Sequence, residues 1–419
     1  MTAFTRSLNP AVRQAARGLA EARDEQILRA VAMVDAMPER GEADQIIAPL
    51  RARLARLRPA RPLRFARLLF LPLDPLIVPA ARWRPDQPAI PRTIIPALAA
   101  AVEEGCVPMA RTVMAMIEGH TTDDHALIEA AGALAWTAAA AFLLGTPPLL
   151  DRNATGLTPR MHEILARRIG AVLGQADRLQ ALASDAAQGL TPPEEGSIQA
   201  LLRAALEHEP AVQAMVIALL LARVPEAGPV LTRAAAAPGD VLLRQAGESA
   251  AAFLLDQLEA PGGVEAQPGG QDLTRAAAAV RRLITLLNVL DGGMAPPGMA
   301  PPGRRDRPRA LRDRVGASAE ALFTERLTVD FLEPLRARAP GAGPEQDWAL
   351  EAAARGLRAL EIEARRAGGG KIYDTLLDQA AGTVRVLTTQ GVLARTSGRR
   401  LMEILAGPEV ALAVFPPEA

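Results

Sequence analysis

Along most of this chain apolar residues recur at intervals of three and four, the spacing that gives a helix one buried stripe. The clearest run starts at Thr158. Met161, Ile164, Leu165, Ile169, Val172, Leu173, Leu179 and Leu182 form its apolar stripe, opposite Arg160, Arg167, Arg168 and Arg178. Asn9-Pro10, Thr158-Pro159 and Thr191-Pro192 each place a capping side chain before a proline suited to the first helical position. Thr121-Thr122-Asp123-Asp124 and Thr191-Pro192-Pro193-Glu194 also have the spacing of a capping box.

From residue 197 to 259 the pieces become shorter, with breaks at Pro210, Pro225 and Pro238-Gly239. That grammar predicts short antiparallel helical hairpins. Over about sixty residues the run is loosely similar to HEAT or armadillo arrays, in which helix pairs stack into a superhelix. It has no fixed repeat period, and an irregular bundle fits the same pattern. Helical periodicity resumes at 309–338, 345–366 and from Lys371 onward. Residues 383–390, TVRVLTTQ, lean toward β and either form an extended stretch or continue a helix.

Residues 61–96 break the helical pattern. Pro62, Pro72, Pro75, Pro79, Pro85, Pro88, Pro91 and Pro96 fix φ, remove backbone donors and push each preceding residue toward extended geometry. Phe65, Leu68, Leu69, Phe70, Leu73, Leu76, Ile77, Val78 and Trp83 lie between them, too apolar for a solvated linker. The segment is expected to run extended and to pack on helices or on a partner. Two Gly/Pro-rich breaks follow: PGGVEAQPGG at 261–270 and the tandem GMAPPGMAPPG at 293–303, which has no side chain able to build a core. The expected plan is N-terminal helices at 1–60, the proline-rich segment at 61–96, a central helical domain at 97–292, a linker at 293–308 and a C-terminal helical domain at 309–419.

Composition sharpens the fold class. At 419 residues the chain is long enough for two or three subdomains. Hydrophobic residues make up 49%, much of it alanine, and aromatics only 3%, which favours close-packed helices over sheets and predicts an all-α multi-helical fold. The 47 basic residues balance the 47 acidic ones, so no global field draws in nucleic acid or membrane. Lys371 is the only lysine, a bias read as compositional like the alanine and proline content. Cys106 is the only cysteine, which excludes an intrachain disulfide or a thiolate cluster. The N-terminal stretch lacks the apolar core of a secretory signal, and a cytoplasmic, soluble protein is expected. Residues 130–150 are uncharged and long enough to span a membrane. Their alanine content and Pro147-Pro148 instead point to a buried helix.

Candidate chemistry is sparse. His120, Asp123, Asp124 and His125 form the one His/Asp cluster, but five-residue spacing sets the histidines on different sides of a helix, and the cluster reads as a helix start. His162-Glu163 opens like the zinc-protease helix motif, which fails because Ala166 stands where the second histidine belongs. His208 reads as a surface residue at a helix end. Gly368-Gly369-Gly370-Lys371 resembles a phosphate loop, yet Arg365 and Ile372 occupy positions that need glycine and Ser/Thr, so a flexible break between helices is expected. Gly170 and Gly174 are spaced for one helix to approach another closely. No catalytic residue, metal site or cofactor is assigned.

One charge pattern remains. Residues 45–73 hold no acid, while Arg51, Arg53, Arg56, Arg58, Arg61, Arg64 and Arg67 follow one another beside apolar stripes. A basic amphipathic approach into a greasy proline-rich segment suits an acidic protein groove or an anionic membrane surface. It also suits internal pairing with the chain's own acids. The shortage of aromatics for base stacking argues against nucleic acid. The leading expectation is a non-enzymatic scaffold that contacts a protein partner through these arginines, with Phe65, Phe70 and Trp83 packing on the partner or internally. The alternatives are peripheral attachment to an anionic membrane through 45–73, and an enzyme whose site is assembled from separated residues.

Overall fold

The computed structural model describes residues 14, 18, 19, 22, 24–36, 50, 54, 60–188, 194–236, 240–260, 263, 264, 272–292, 306–339 and 343–416. The fold is all-α, as the apolar periodicity predicts. Strand structure among the described residues is one two-residue parallel ladder, β1 (Ile77–Val78) on β2 (Ile90–Pro91), with Ile77 opposite Ile90 and Val78 opposite Pro91. The chain divides into two compact units. The first holds Met1–Leu50, Pro59–Gln257 and Asn288–Arg304; the second holds Arg51–Arg58, Leu258–Leu287 and Arg305–Ala419.

The first unit contains α1 (Asp24–Ala36), α2 (Phe65–Phe70), α3 (Ile95–Gly105), α4 (Val107–Ile117), α5 (His125–Gly145) and α6 (Arg152–Thr155). It continues with α7 (Pro159–Leu173), α8 (Ala176–Gln188), α9 (Glu195–Leu206), α10 (Pro210–Arg223) and α11 (Gly228–Ala236). Helices α12 (Val241–Glu259) and α13 (Leu273–Gly292) each contribute residues to both units. Pro159 and Pro210 open helices and Pro225 opens a 3-10 turn, where a missing N–H costs nothing, while the expected break at Pro238-Gly239 lies outside the described residues. Thr158 caps α7 by accepting from the Met161 N–H at 3.3 Å.

Helix α5 organises this unit. Ile128, Ala131, Gly132, Ala135, Trp136, Ala139, Ala140 and Leu143 are buried, and α2, α4, α7 and α8 pack around it. It is the one described helix long and apolar enough, by length and composition alone, to cross a membrane; α4 with the turn-and-helix 92–105, and α10 with 225–235, pass the same test only as sharply bent pairs. Gly170 lets α7 come close: a Cβ there would lie 3.0 Å from Leu143 Cβ and 3.4 Å from the Ala140 carbonyl. The Gly170/Gly174 spacing therefore serves helix packing, as expected.

The proline-rich segment packs on these helices, but its path is not extended throughout. Ahead of its second proline, Phe65–Phe70 forms a helix, and 3-10 turns follow at Leu71–Leu76, Ala80–Arg82 and Arg92–Ile94. Proline's fixed φ suits the start of such a turn, where Pro72 stands, and Pro75 is accommodated inside it. Phe65, Leu68, Leu69, Phe70, Leu73 and Leu76 are buried. The Trp136 Nε1–H donates to the Leu68 carbonyl at 3.0 Å and ties the segment to α5. At its start, Pro62 bridges antiparallel to Thr121, with Leu63 N–H donating to the His120 carbonyl at 2.8 Å.

The second unit contains α14 (Asp306–Arg326), a π turn at Leu327–Leu332, α15 (Glu333–Arg336), α16 (Pro344–Ala364), α17 (Gly370–Thr389), α18 (Arg395–Ala406) and α19 (Pro408–Val414). Residues 293–305 of the expected linker lie outside the described residues. Asp306, Arg307 and Pro308, assigned above to that linker, instead begin α14, where an acid and a proline in the first turn are both favourable. Residues 383–389 continue α17 and do not form a strand. Helix α18 packs against α16, α17 and α19. The core includes an edge-to-face pair, Phe323 and Tyr373, with centroids 5.1 Å apart.

Candidate partner-binding face

The first candidate is the outward side of the proline-rich segment. Arg51, Arg53, Arg56 and Arg58 lie outside the described residues. Arg61 and Arg67 are half-buried and Arg64 is exposed. Arg61 is anchored through its backbone, exchanging hydrogen bonds with Thr122 at 3.1 and 2.9 Å. The Arg67 Nη1–H donates to the Pro62 carbonyl at 2.5 Å, closing a loop within the segment. Phe65 and Phe70 belong to the core. Trp83 is half-buried, and its Nε1–H donates to the Ala89 carbonyl at 3.1 Å, so the indole braces the exposed strap from Pro79 to Gln87. Arg82, Arg84 and Arg92 are exposed along or beside that strap. Gln87 fastens it to Asp256, 3.1 Å away.

Arg223 links the proline-rich segment to distant parts of the sequence. Arg223, the last residue of α10, donates from Nη2 to the Leu71 carbonyl and from Nη1 to Gln180 Oε1 at 3.1 Å. Its Nε is buried with no acceptor. Asp74 keeps an open side to solvent but has protein on most others, so desolvation raises its carboxyl above the ordinary value, against the pull of Arg223, Arg67 and Arg92. Burial likewise pulls Arg223 down, and Asp74 opposes it.

The other sequence candidates resolve into structural devices. In GHTTDDH, α5 begins at His125 with Asp124 before it, so the capping box expected at Thr121 does not start the helix. The Asp124 carboxylate instead accepts from the Thr121 N–H at 2.8 Å and meets His120 Nδ1 at 3.2 Å. That backbone bond, with help from His120, holds Asp124 below the usual carboxylate range. Among the described residues no group of three or more His, Cys, Asp or Glu is placed to hold a metal. Two clefts of the first unit have volumes of about 510 and 260 Å³. Arg178, Asp185, Glu194 and Ser197 line the larger; Arg167, Arg168, His208 and Glu209 line the smaller. Neither contains His120, His125 or His162. His208 is exposed at the rim of the smaller cleft, where Arg168 Nε pairs with Glu209 at 2.5 Å.

His162 is buried, with Nε2 2.6 Å from Thr155 Oγ1. Thr155 Oγ1 also lies 3.2 Å from the Asp151 carbonyl, to which it donates, so His162 Nε2–H is the donor of the shorter bond. That tautomer leaves Nδ1 as a buried bare acceptor, a smaller penalty than an orphaned N–H.

The triple-glycine turn of the second unit separates α16 from α17 but is clamped. Gly368 and Gly369 adopt φ of 124° and 82°, which only glycine takes without strain. Arg365 donates to the Gly370 carbonyl at 3.2 Å, to Asp374 at 2.5 Å and to Glu361. These partners raise the Arg365 pKa. Tyr373 packs beneath with its hydroxyl buried and pushed up to about 12 by burial and by the charges of Glu320 and Glu361. Carboxylates crowd this helix start, so it is no phosphate cradle.

Sequence reasoning reached Arg61, Arg64 and Arg67 but missed Asp74, Arg82, Arg84, Arg92 and Arg223. Arg82 and Arg84 flank Trp83 in the segment already singled out and were legible as its polar positions. Arg223 had no local signal, since it meets Leu71 across 152 residues. No protein family, curated protein or solved structure matches this chain.

Proposed function

We propose that this protein is a non-catalytic helical scaffold that binds a protein partner across the outward side of the proline-rich segment. One observation carries the reading: the segment commits its large apolar side chains to the core and turns Arg64, Arg82, Arg84 and Arg92 outward. A strap pinned by prolines and by Trp83 is already ordered, so a partner binding it loses little conformational entropy. Arginine is the charged residue most suited to protein interfaces, because its planar donors match carboxylates and its apolar stem packs. The same inward commitment of Phe65 and Phe70 weighs against a membrane surface, where such rings would be the anchors.

The test is quantitative affinity capture from the native host with wild type and with the variant Arg82→Glu/Arg84→Glu/Arg92→Glu. All three positions are exposed, so the variant is expected to match wild type in circular dichroism and melting. Loss of a captured protein from the variant supports the reading. An unchanged set of captured proteins overturns it.

A further inference from the structure

We propose that His162 is a proton-operated latch on the docking face. A proton on its ring loosens α6 and, through Thr93, the turn at Arg92–Ile94, so that a partner held at neutral pH is released on mild acidification. This deepens, and rests on, the docking reading above. The ring's surroundings fit its neutral form only. Its Nε2–H meets Thr155 Oγ1 at 2.6 Å, and that hydroxyl is fully used. It donates to the Asp151 carbonyl at 3.2 Å and also accepts from the Leu157 N–H at 3.3 Å. The other ring nitrogen, Nδ1, is buried without a partner. Bare, it costs little; protonated, it becomes a buried charged N–H that needs an acceptor or water. The loop from Asp151 to Leu157 yields first. Arg152, Asn153, Ala154 and Gly156 are exposed and α6 is only four residues long, whereas α7 is packed on α5 and α10.

The charges nearby set the direction. Asp151 acts on the ring and favours the proton, but burial outweighs it and keeps the ring neutral at neutral pH. The Asp151 carboxylate is also the cap of α6, accepting from the Asn153 N–H at 2.9 Å. Arg152, Arg160 and Arg92 are exposed cations on α6, α7 and the turn, and Glu163 is exposed and paired with Arg167 at 3.2 Å. Helix α5 runs antiparallel to α7, with Leu143 at Gly170 and Ala140 at Gly174, so His125 and Glu129 stand toward its far end. On the α10 side Glu209 is paired with Arg168, and Arg223 stands at the opposite end of that helix. The link to the docking face is direct. Thr93 Oγ1 donates to the Thr155 carbonyl at 2.9 Å, and α6 packs against the turn at Arg92–Ile94. That turn follows β2, whose register Val78↔Pro91 sets Arg92 level with Pro79, where the strap begins. Loosening α6 removes the Thr93 anchor and the ordered position in which a partner meets Arg92. Histidine titrates near neutrality, so the latch is closed at neutral pH and opens as the pH falls below 6.5.

Hydrogen–deuterium exchange of the full chain at about pH 7.5 and about pH 5.5, corrected for intrinsic rates, reads the latch without a partner. Acidification is expected to lower protection at residues 92–94 and 153–157 about tenfold, with the core amides of α5 unchanged. His162→Gln keeps an N–H donor for Thr155 and is expected to cut the response to less than about twofold. The exposed control His208→Gln is expected to respond as wild type. Thr93→Val is expected to confine the response to 153–157. A response absent from wild type, retained by His162→Gln or spread evenly over the first unit overturns the proposal, and so does loosening of 92–94 that persists in Thr93→Val. In affinity capture, acid is expected to release the partner from wild type about tenfold more than from His162→Gln, and equal release overturns the link to docking. If exchange responds as expected while the triple arginine variant captures an unchanged set of proteins, the latch stands and the docking reading falls.

Discussion

The attachment of the proline-rich segment to α5 can be tested by a double-mutant cycle at Gly132 and Trp136. Trp136 is fully buried, and like other long helical side chains it leans back over the residue four positions earlier. That residue is Gly132, where an added Cβ would lie 2.4 Å from Trp136 Cη2 and 2.5 Å from Cζ2. Trp136→Phe loses the bond to the Leu68 carbonyl, about 1 kcal/mol. The void of about 40 Å³, at about 24 cal/mol per Å³, adds about 1 kcal/mol. Gly132→Ala forces the indole aside at a cost of about 2–3 kcal/mol, against about 1 kcal/mol gained in helix propensity. In the double variant the shorter ring removes the clash and the propensity gain remains. The singles then sum to about 3–4 kcal/mol while the double costs about 1, a coupling of about 2 kcal/mol or more. Urea unfolding followed by far-UV circular dichroism measures all four proteins. Additive costs would refute the placement of the indole over Gly132 and the anchoring that depends on it.

Two further predictions concern buried polar groups. Burial lowers the His162 pKa below its ordinary 6.5, with the nearby Asp151 opposing, so the unfolded chain takes up the proton first; its contribution to stability is intact above pH 6.5 and is lost as the pH falls below it. Melting temperature should therefore fall with acidification through that range by more in wild type than in His162→Gln, and equal slopes would contradict the assignment. Glu361, 2% exposed, sits within ion-pair distance of Arg358 (2.8 Å, not aligned for a hydrogen bond) and of Arg365. Because both arginines keep 34% of their side-chain surface, Glu361→Ala is expected to cost about 2–3 kcal/mol, below the usual range for a fully buried pair, in urea titrations; a cost under about 0.5 kcal/mol would show the cluster to be idle.

Much of the fold was legible because helix periodicity and capping are local. Thr158 caps α7, Pro210 opens α10, and Gly170 admits α5, each for the reason its residue type suggests. The inward packing of Phe65 and Phe70 was one of two outcomes the pattern allowed, and it took the arrangement of α5 to decide it. Turns were less legible. The prolines of 61–96 predict extended chain, yet proline at the start of a turn is also favourable, and Leu71–Leu76 took that course. Triple glycine reads as a flexible break until Arg365 is seen holding the Gly370 carbonyl. The bond from Arg223 to the Leu71 carbonyl was not legible, because the two residues stand 152 positions apart and pairing at such a distance leaves no periodic trace.

The central claim is that partners meet this chain at the outward side of its proline-rich segment. Hydrogen–deuterium exchange of the chain, alone and bound to a captured partner, tests it most directly. Most residues of the strap from Pro79 to Gln87 are exposed, and its amides should slow on binding together with those around Arg92 and Thr93. Protection confined to the second unit, with residues 79–93 exchanging as before, would contradict the account.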